Sequence, residues 1–227
     1  MKSIFEFLII CGVVTILCGS TARADVTCPP KPAAPVNIIW GSDNIKYDFS
    51  RSQSQMDNMN NDTQSPYGNN AKTHVGGLMK GGISVQSQVQ VATMTYPRAR
   101  QMCQWVDRVD VNIKIDPTIY ISRDHKPGSC RHKAIMEHEM KHIYTDREIV
   151  KKYVPIIQSA LSKAVVDIGI VGPKDMRDQA RYQKQINDYI AREVKNINTK
   201  LNTERRQRQQ AIDSRQEYDR VAAMCKN

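Results

Sequence analysis

Aromatic side chains are scarce in this 227-residue chain, with three Phe, two Trp and nine Tyr making 6% of it. Acidic residues are also in deficit, 23 against 33 Lys and Arg, which excludes an acidic disordered tail. Apolar runs long enough to cross a bilayer are missing: the longest, residues 7–18, falls short of the roughly 20 residues a spanning helix needs, which excludes a multi-span membrane protein. The 11 glycines follow no three-residue period, so a collagen-like fibre is excluded. The six cysteines never form two close pairs, which excludes a Cys-rich zinc module. No internal repeat is visible, and one modest globular domain remains.

The amino terminus reads as a leader. Lys2 precedes the apolar run, and Ala22-Arg23-Ala24 is a small-x-small cleavage pattern, so residues 1–24 are expected to be a signal peptide removed before Asp25. An uncleaved anchor is the alternative. A lipoprotein fits less well, because Leu17 stands before Cys18 where a small residue is wanted. Losing Lys2, Arg23 and Glu6 leaves 31 basic and 22 acidic residues, a net +9, in a secreted or periplasmic protein with no transmembrane span. Four cysteines remain, Cys28, Cys103, Cys130 and Cys225, and in an oxidising compartment two disulfides are the default. Three pairings are open. Cys103 with Cys130 is favoured, with Cys28 tying the amino-terminal segment to the carboxy-terminal helix at Cys225.

Short β-like pieces at 37–40 and 45–49 precede a polar loop over residues 51–82, with one short helix near 55–60. Period-two alternation predicts a strand from Ile83 to Tyr96, and a second run from Val106 to Ser122 interrupted at Pro117, forming an antiparallel pair. The link between them, residues 97–105, carries Cys103. Ser129 caps a helix that Pro155 kinks or breaks, and a second helical piece ends near Gly169. Residues 175–224 read as one long helix with a sticky side at Ile186, Ile190, Val194, Ile197 and Leu201. The expected organisation is a leader at 1–24, a compact domain at 25–172 and the long helix at 173–227. Its class is α+β, a small antiparallel sheet packed on the Ser129-capped helix.

That capped helix carries His138-Glu139-Met140-Lys141-His142, an HExxH motif. Histidines four apart share one helix face and offer two imidazoles to one Zn²⁺, while Glu139 is placed to act as general base on a water. With five His and seven Glu in the chain, the chance of one HExxH arising at random is about 0.003. The competing reading is a solvated charged face, since Glu137, Asp146, Arg147, Lys151 and Lys152 flank it.

On these residues the chain resembles the zincin peptidases, and within them a family of small secreted bacterial zinc peptidases of unknown function. The likeness spans roughly residues 45–150: Tyr47 and the polar segment after it, the hairpin with Cys103, the run from Val109 to Ile115 before Pro117, and the helix from Ile135 to His142. It implies zinc held by His138 and His142, with Glu139 as base. That family usually follows its second His with an aromatic and an acid, where this chain has Ile143-Tyr144-Thr145-Asp146.

A catalytic zinc takes three protein ligands and keeps a position open. Thr145 stands where a metzincin needs Gly, which excludes that continuation. Glutamate-type zincins draw the third ligand from a later helix, where Glu193 is the one well-placed Glu. Asp146 and Glu148 are nearer; Asp146 lies about 6 Å beyond His142 by helical rise and suits a supporting role. His125 and His132 read as loop and surface residues, and the third ligand stays open.

A peptide substrate would add as a strand along the sheet edge, with residues 84–95 as candidate edge and the loop 51–82 as candidate cover. The basic carboxy-terminal region, Arg205, Arg206, Arg208, Arg215 and Arg220, is interspersed with Glu204, Asp213, Glu217 and Asp219 and reads as a solvated face. Tyr218 is its lone aromatic among the final turns, so nucleic-acid binding is not expected, whereas attraction to an anionic envelope polymer is. The function expected is zinc-dependent peptide-bond hydrolysis. The alternative is a non-enzymatic envelope binding or assembly protein on a zincin-like scaffold, with the long carboxy-terminal helix as its partner surface; self-association through that helix is a further expectation.

Overall fold

Side chains at alternate positions put Val109, Val111, Ile113 and Ile115 on one face, and all four are buried. They belong to β5 (Gln101–Ile115), the centre of a four-stranded sheet in the computed structural model, which describes residues 26–61, 63–68 and 74–225. The leader expected at 1–24 lies outside the described residues. β4 (Ile83–Tyr96) pairs antiparallel along the whole of β5. On the other edge, β1 (Val36–Ser42) runs parallel to the second half of β5 and β7 (Ile170–Asp175) antiparallel to the first half. A second sheet has the order β2 (Lys46–Asp48), β6 (Thr118–Ile121), β3 (Gly77–Lys80), with β2 parallel and β3 antiparallel to β6. The fold is thus α+β, with mixed rather than wholly antiparallel sheets. Period-two alternation marks the faces of a strand but carries no information on its partner's direction.

The polar loop contains α1 (Gln53–Asp57), started by a capping box in which Ser52 and Gln55 exchange hydrogen bonds. α2 (Cys130–Ile168) is capped by Ser129, whose side chain accepts from His132 N, and ends at Gly169 with φ 57°, a left-handed value that suits glycine. It does not break at Pro155. An interior proline costs about 3 kcal/mol, and burying Ile157, Leu161, Ala164 and Val165 beyond it offsets that, at about 1.5–3 kcal/mol for each large side chain. The long carboxy-terminal helix is present as α3 (Gln179–Ile212), entered through a 3₁₀ turn at Met176–Asp178. It stops at Asp213, and α4 (Arg215–Ala223) restarts from the cap Ser214.

Two apolar cores follow. The four-stranded sheet packs on the second half of α2 and on α3, joining Val109, Ile113, Ile149, Leu161, Ile190 and Leu201. The sticky side of α3 is therefore interior. Ile119, Ile121, Ile135 and Ile143 form a smaller core between the second sheet and the first half of α2.

The cysteine pairing differs from the favoured one. Cys28 bonds Cys103, and Cys130 bonds Cys225. Cys103 lies within β5, since the turn between β4 and β5 is only residues 97–100, and it is held beside β7 rather than near α2. A Cβ on Gly172 of β7 would stand 2.9 Å from Cys28 Sγ and 3.0 Å from Cys103 Cα, so only glycine passes that bridge. Cys130 opens α2 and meets the end of α4, which runs back along it. Both bridges suit an oxidising compartment, and among the described residues no helix is long and apolar enough to cross a membrane. Peptide mapping of the unreduced protein is expected to recover Cys28 linked to Cys103 and Cys130 linked to Cys225; a peptide joining Cys103 to Cys130 would contradict this fold.

Candidate metal centre

His138 and His142 stand one turn apart on the face of α2 turned toward α3 and α4, their rings edge to face with centroids 5.1 Å apart. α3 runs antiparallel to α2, so its carboxy-terminal end arrives opposite this pair. There the helix ends, and Asp213 places Oδ1 3.1 Å from His138 Nε2 and 3.3 Å from His142 Nε2. All three residues are buried, and their ligand atoms lie within 4.8 Å of one another. Donors held about 2.0–2.2 Å from a tetrahedral ion stand about 3.3 Å apart, so the spacing fits a metal.

The hydrogen bonds fix which nitrogens face inward. Gln209 Nε2 donates to His142 O at 3.1 Å and to Asp146 Oδ1 at 2.7 Å. That leaves Gln209 Oε1 to accept from His142 Nδ1, so the lone pair of His142 is on Nε2. His138 Nδ1 likewise lies 3.3 Å from Glu217 Oε1. With both Nδ1 atoms donating outward, two Nε2 lone pairs and one carboxylate oxygen point at the same space, an arrangement that needs a cation or shared protons between them. The protein residues present therefore fit a metal ion.

Support for these donors is itself held. Asp146 is tied by Arg205 through Nε at 2.8 Å and Nη2 at 3.1 Å, a two-pronged contact. Asp146 thus stands behind His142, with Gln209 between them, and is not one of the three converging donors. Arg220 and Lys141 clamp Glu217 and, against the opposing effect of burial, bring its carboxyl down to about 2. Burial disfavours the charge on Asp213, but hydrogen bonds from His138 and His142 outweigh it and hold this carboxyl well below the usual range. The same contacts hold both imidazoles above 6.5 although burial opposes them.

Glu139 is 4% exposed, and burial pushes its carboxyl up. Met79 N, in β3, hydrogen-bonds it, and it lines a small cleft with His138, His142, Asp213 and Tyr218. β3 reaches this place because it begins with glycine: a Cβ on Gly77 would lie 2.3 Å from Ile135 Cγ2 and 2.8 Å from Glu139 Oε1. The strand beside the site helix is therefore β3, within the expected loop, and residues 84–95 belong to the other sheet. The Tyr218 ring meets His138 edge on at 5.5 Å, its hydroxyl bonds Asp213, and burial raises its pKa, so the phenol stays protonated.

Of the residues considered as third ligand, none is in the cluster. Glu193 lies on α3 about 30 Å from Asp213 by helical rise, and Glu148 pairs with Arg208. His132 is buried, edge on to Phe49, rather than on the surface. Asp213 reads in sequence as one more acid on a solvated helix. The available signal was Ser214-x-x-Glu217, a helix-start pattern directly after it.

The chain matches no protein-family model, no curated protein and no solved structure. Its site is thus characterised by its own geometry.

Asp213→Ala is expected to abolish stoichiometric metal binding, while Glu193→Ala retains it, read as metal content of the folded proteins. A cation needs both imidazoles neutral, and their pKa values are raised. Binding is therefore expected to weaken as pH falls, with the loss beginning above pH 6.5, in a metal titration across pH.

Proposed function

We propose that this protein is an exported zinc-dependent peptidase of the zincin type, secreted or periplasmic. The observation that carries the reading is the convergence of His138 Nε2, His142 Nε2 and Asp213 Oδ1 in one cleft with the buried carboxyl of Glu139. Two imidazoles and a carboxylate are a donor set characteristic of zinc, and three protein donors rather than four among the described residues leave a position open, as in catalytic sites. When bound, the ion would supply Lewis acidity, polarising a carbonyl and lowering the pKa of a water.

The residues of the chain do the rest. Glu139, poised by burial nearer to neutrality than an exposed glutamate, takes the proton of the attacking water and returns it to the leaving nitrogen as the amide bond breaks. Tyr218, protonated and facing the cleft, would turn its hydroxyl from Asp213 to the oxygen on which charge develops. Gln209 and Glu217 keep the imidazoles in the tautomer that presents Nε2. Export is supported by the leader pattern of the sequence and by the two disulfides.

Glu139→Gln is expected to keep its metal and lose hydrolysis by about 10²–10⁴-fold. The measurement is cleavage of a peptide mixture followed by mass spectrometry, beside metal content. Undiminished cleavage by the variant, or a folded wild type that takes up no zinc, would sink the reading.

A further inference from the structure

Beside the metal cleft the surface opens into a groove of about 470 Å³ along the amino-terminal turns of α2. Gly77, His138, Glu139 and Tyr218 line both, so a molecule filling the groove reaches the reacting centre. The volume lies within the range of about 300–1,000 Å³ typical of ligand pockets, room for a short stretch of peptide. Val75, Ile135 and Val221 supply apolar walls.

The charge of the groove is one-sided. Among its described lining residues the one carboxylate is Glu139, at the metal end beside His138, and the cationic types away from that end are His74, His125 and Arg131. His74 is balanced by Asp57, with Nδ1 to Oδ2 at 2.8 Å. Arg131 has no carboxylate partner among the described residues. Its Nη1 donates to Val221 O at 3.3 Å, a contact that leaves the charge uncompensated. It sits in the first turn of α2, where the free N–H groups of the helix add positive potential. His125 Nε2 comes within 3.3 Å of the place a Cβ on Gly76 would take, so its ring edges the groove at the same end. Burial and the charge of Arg131 hold His125 below its ordinary value, and at neutral pH it serves as a neutral donor.

Spacing sets what this end can read. Arg131 precedes His138 by seven residues and shares its helix face, about 10 Å away along the axis. An extended peptide advances about 3.4 Å per residue, so a group at Arg131 is about three residues from the bond at Glu139. We infer that the groove seats the segment of a peptide on one side of the scissile bond, and that Arg131 with His125 selects a carboxylate about three residues from that bond. That the seated peptide is a substrate rests on the peptidase reading; the binding preference does not.

The test uses the full chain carrying Glu139→Gln, loaded with zinc, and fluorescence polarisation of labelled leucine–alanine peptides. Three are compared: one with a free carboxy terminus, the same peptide as its amide, and an amide with an internal Glu. The free acid, the internal Glu or both are expected to bind about tenfold tighter than the plain amide, the gain of one charge-assisted contact. Which of the two gains tells a terminal carboxylate from an acidic side chain. Arg131→Gln is expected to erase the preference, Arg131→Lys to retain much of it, and His125→Gln to reduce it, with metal content and circular dichroism unchanged. Equal binding of all three peptides, or a preference that survives Arg131→Gln, would overturn the assignment. Because binding is read in a chain that does not hydrolyse, failure of the peptidase reading and failure of the carboxylate preference give different results.

Discussion

Two imidazole lone pairs, on nitrogens held 3.1 and 3.3 Å from one carboxylate oxygen in a buried place, repel that oxygen unless something positive lies between them. The protein meets this cost with long-range devices rather than local ones. α2 supplies the imidazoles at helical spacing. α3 ends so that Asp213 arrives opposite them, and α4 turns back along α2 and is bonded to its start through Cys130 and Cys225. Arg205, Asp146 and Gln209 form a chain of polar contacts that ends on His142 Nδ1, so the tautomer of a buried ring depends on a residue on another helix. Loss of any link leaves a buried polar group unpaired, which is why such networks fail as units.

The second sheet has a narrower task. β3 is only four residues long, yet it lies directly against the site helix because Gly77 brings no side chain to the place where Ile135 and Glu139 stand. Its Met79 N–H then orients Glu139 from outside the helix that carries it. The larger sheet stays clear of the chemistry. It buries one face of β5 against α2 and α3 and so fixes the angle at which the end of α3 meets the histidines.

Parts of this were legible in the sequence. The alternation of β4 and β5, the Ser129 cap, the paired histidines and Glu139 all depend on near neighbours, and near neighbours are what periodicity reports. β3 and β7 were not legible. Four residues beginning with Gly77, and six residues containing Gly172 and Pro173, carry no alternation, and they are strands because β6 and β5 each offer them a free edge. The continuity of α2 through Pro155 was hidden for a similar reason, since the burial that offsets the proline comes from elements far away in the chain.

The sequence by itself determined the α+β class, the helix that bears His138, Glu139 and His142, and an even set of cysteines to be paired. Tertiary structure decided that Cys28 meets Cys103 and Cys130 meets Cys225, that Asp213 rather than Glu193 faces the histidines, and that the open groove leads to Arg131. The division follows from range. Helical spacing and capping act over three or four residues and are written in the chain, whereas the partner of a side chain 75 residues away is chosen by how helices and sheets pack.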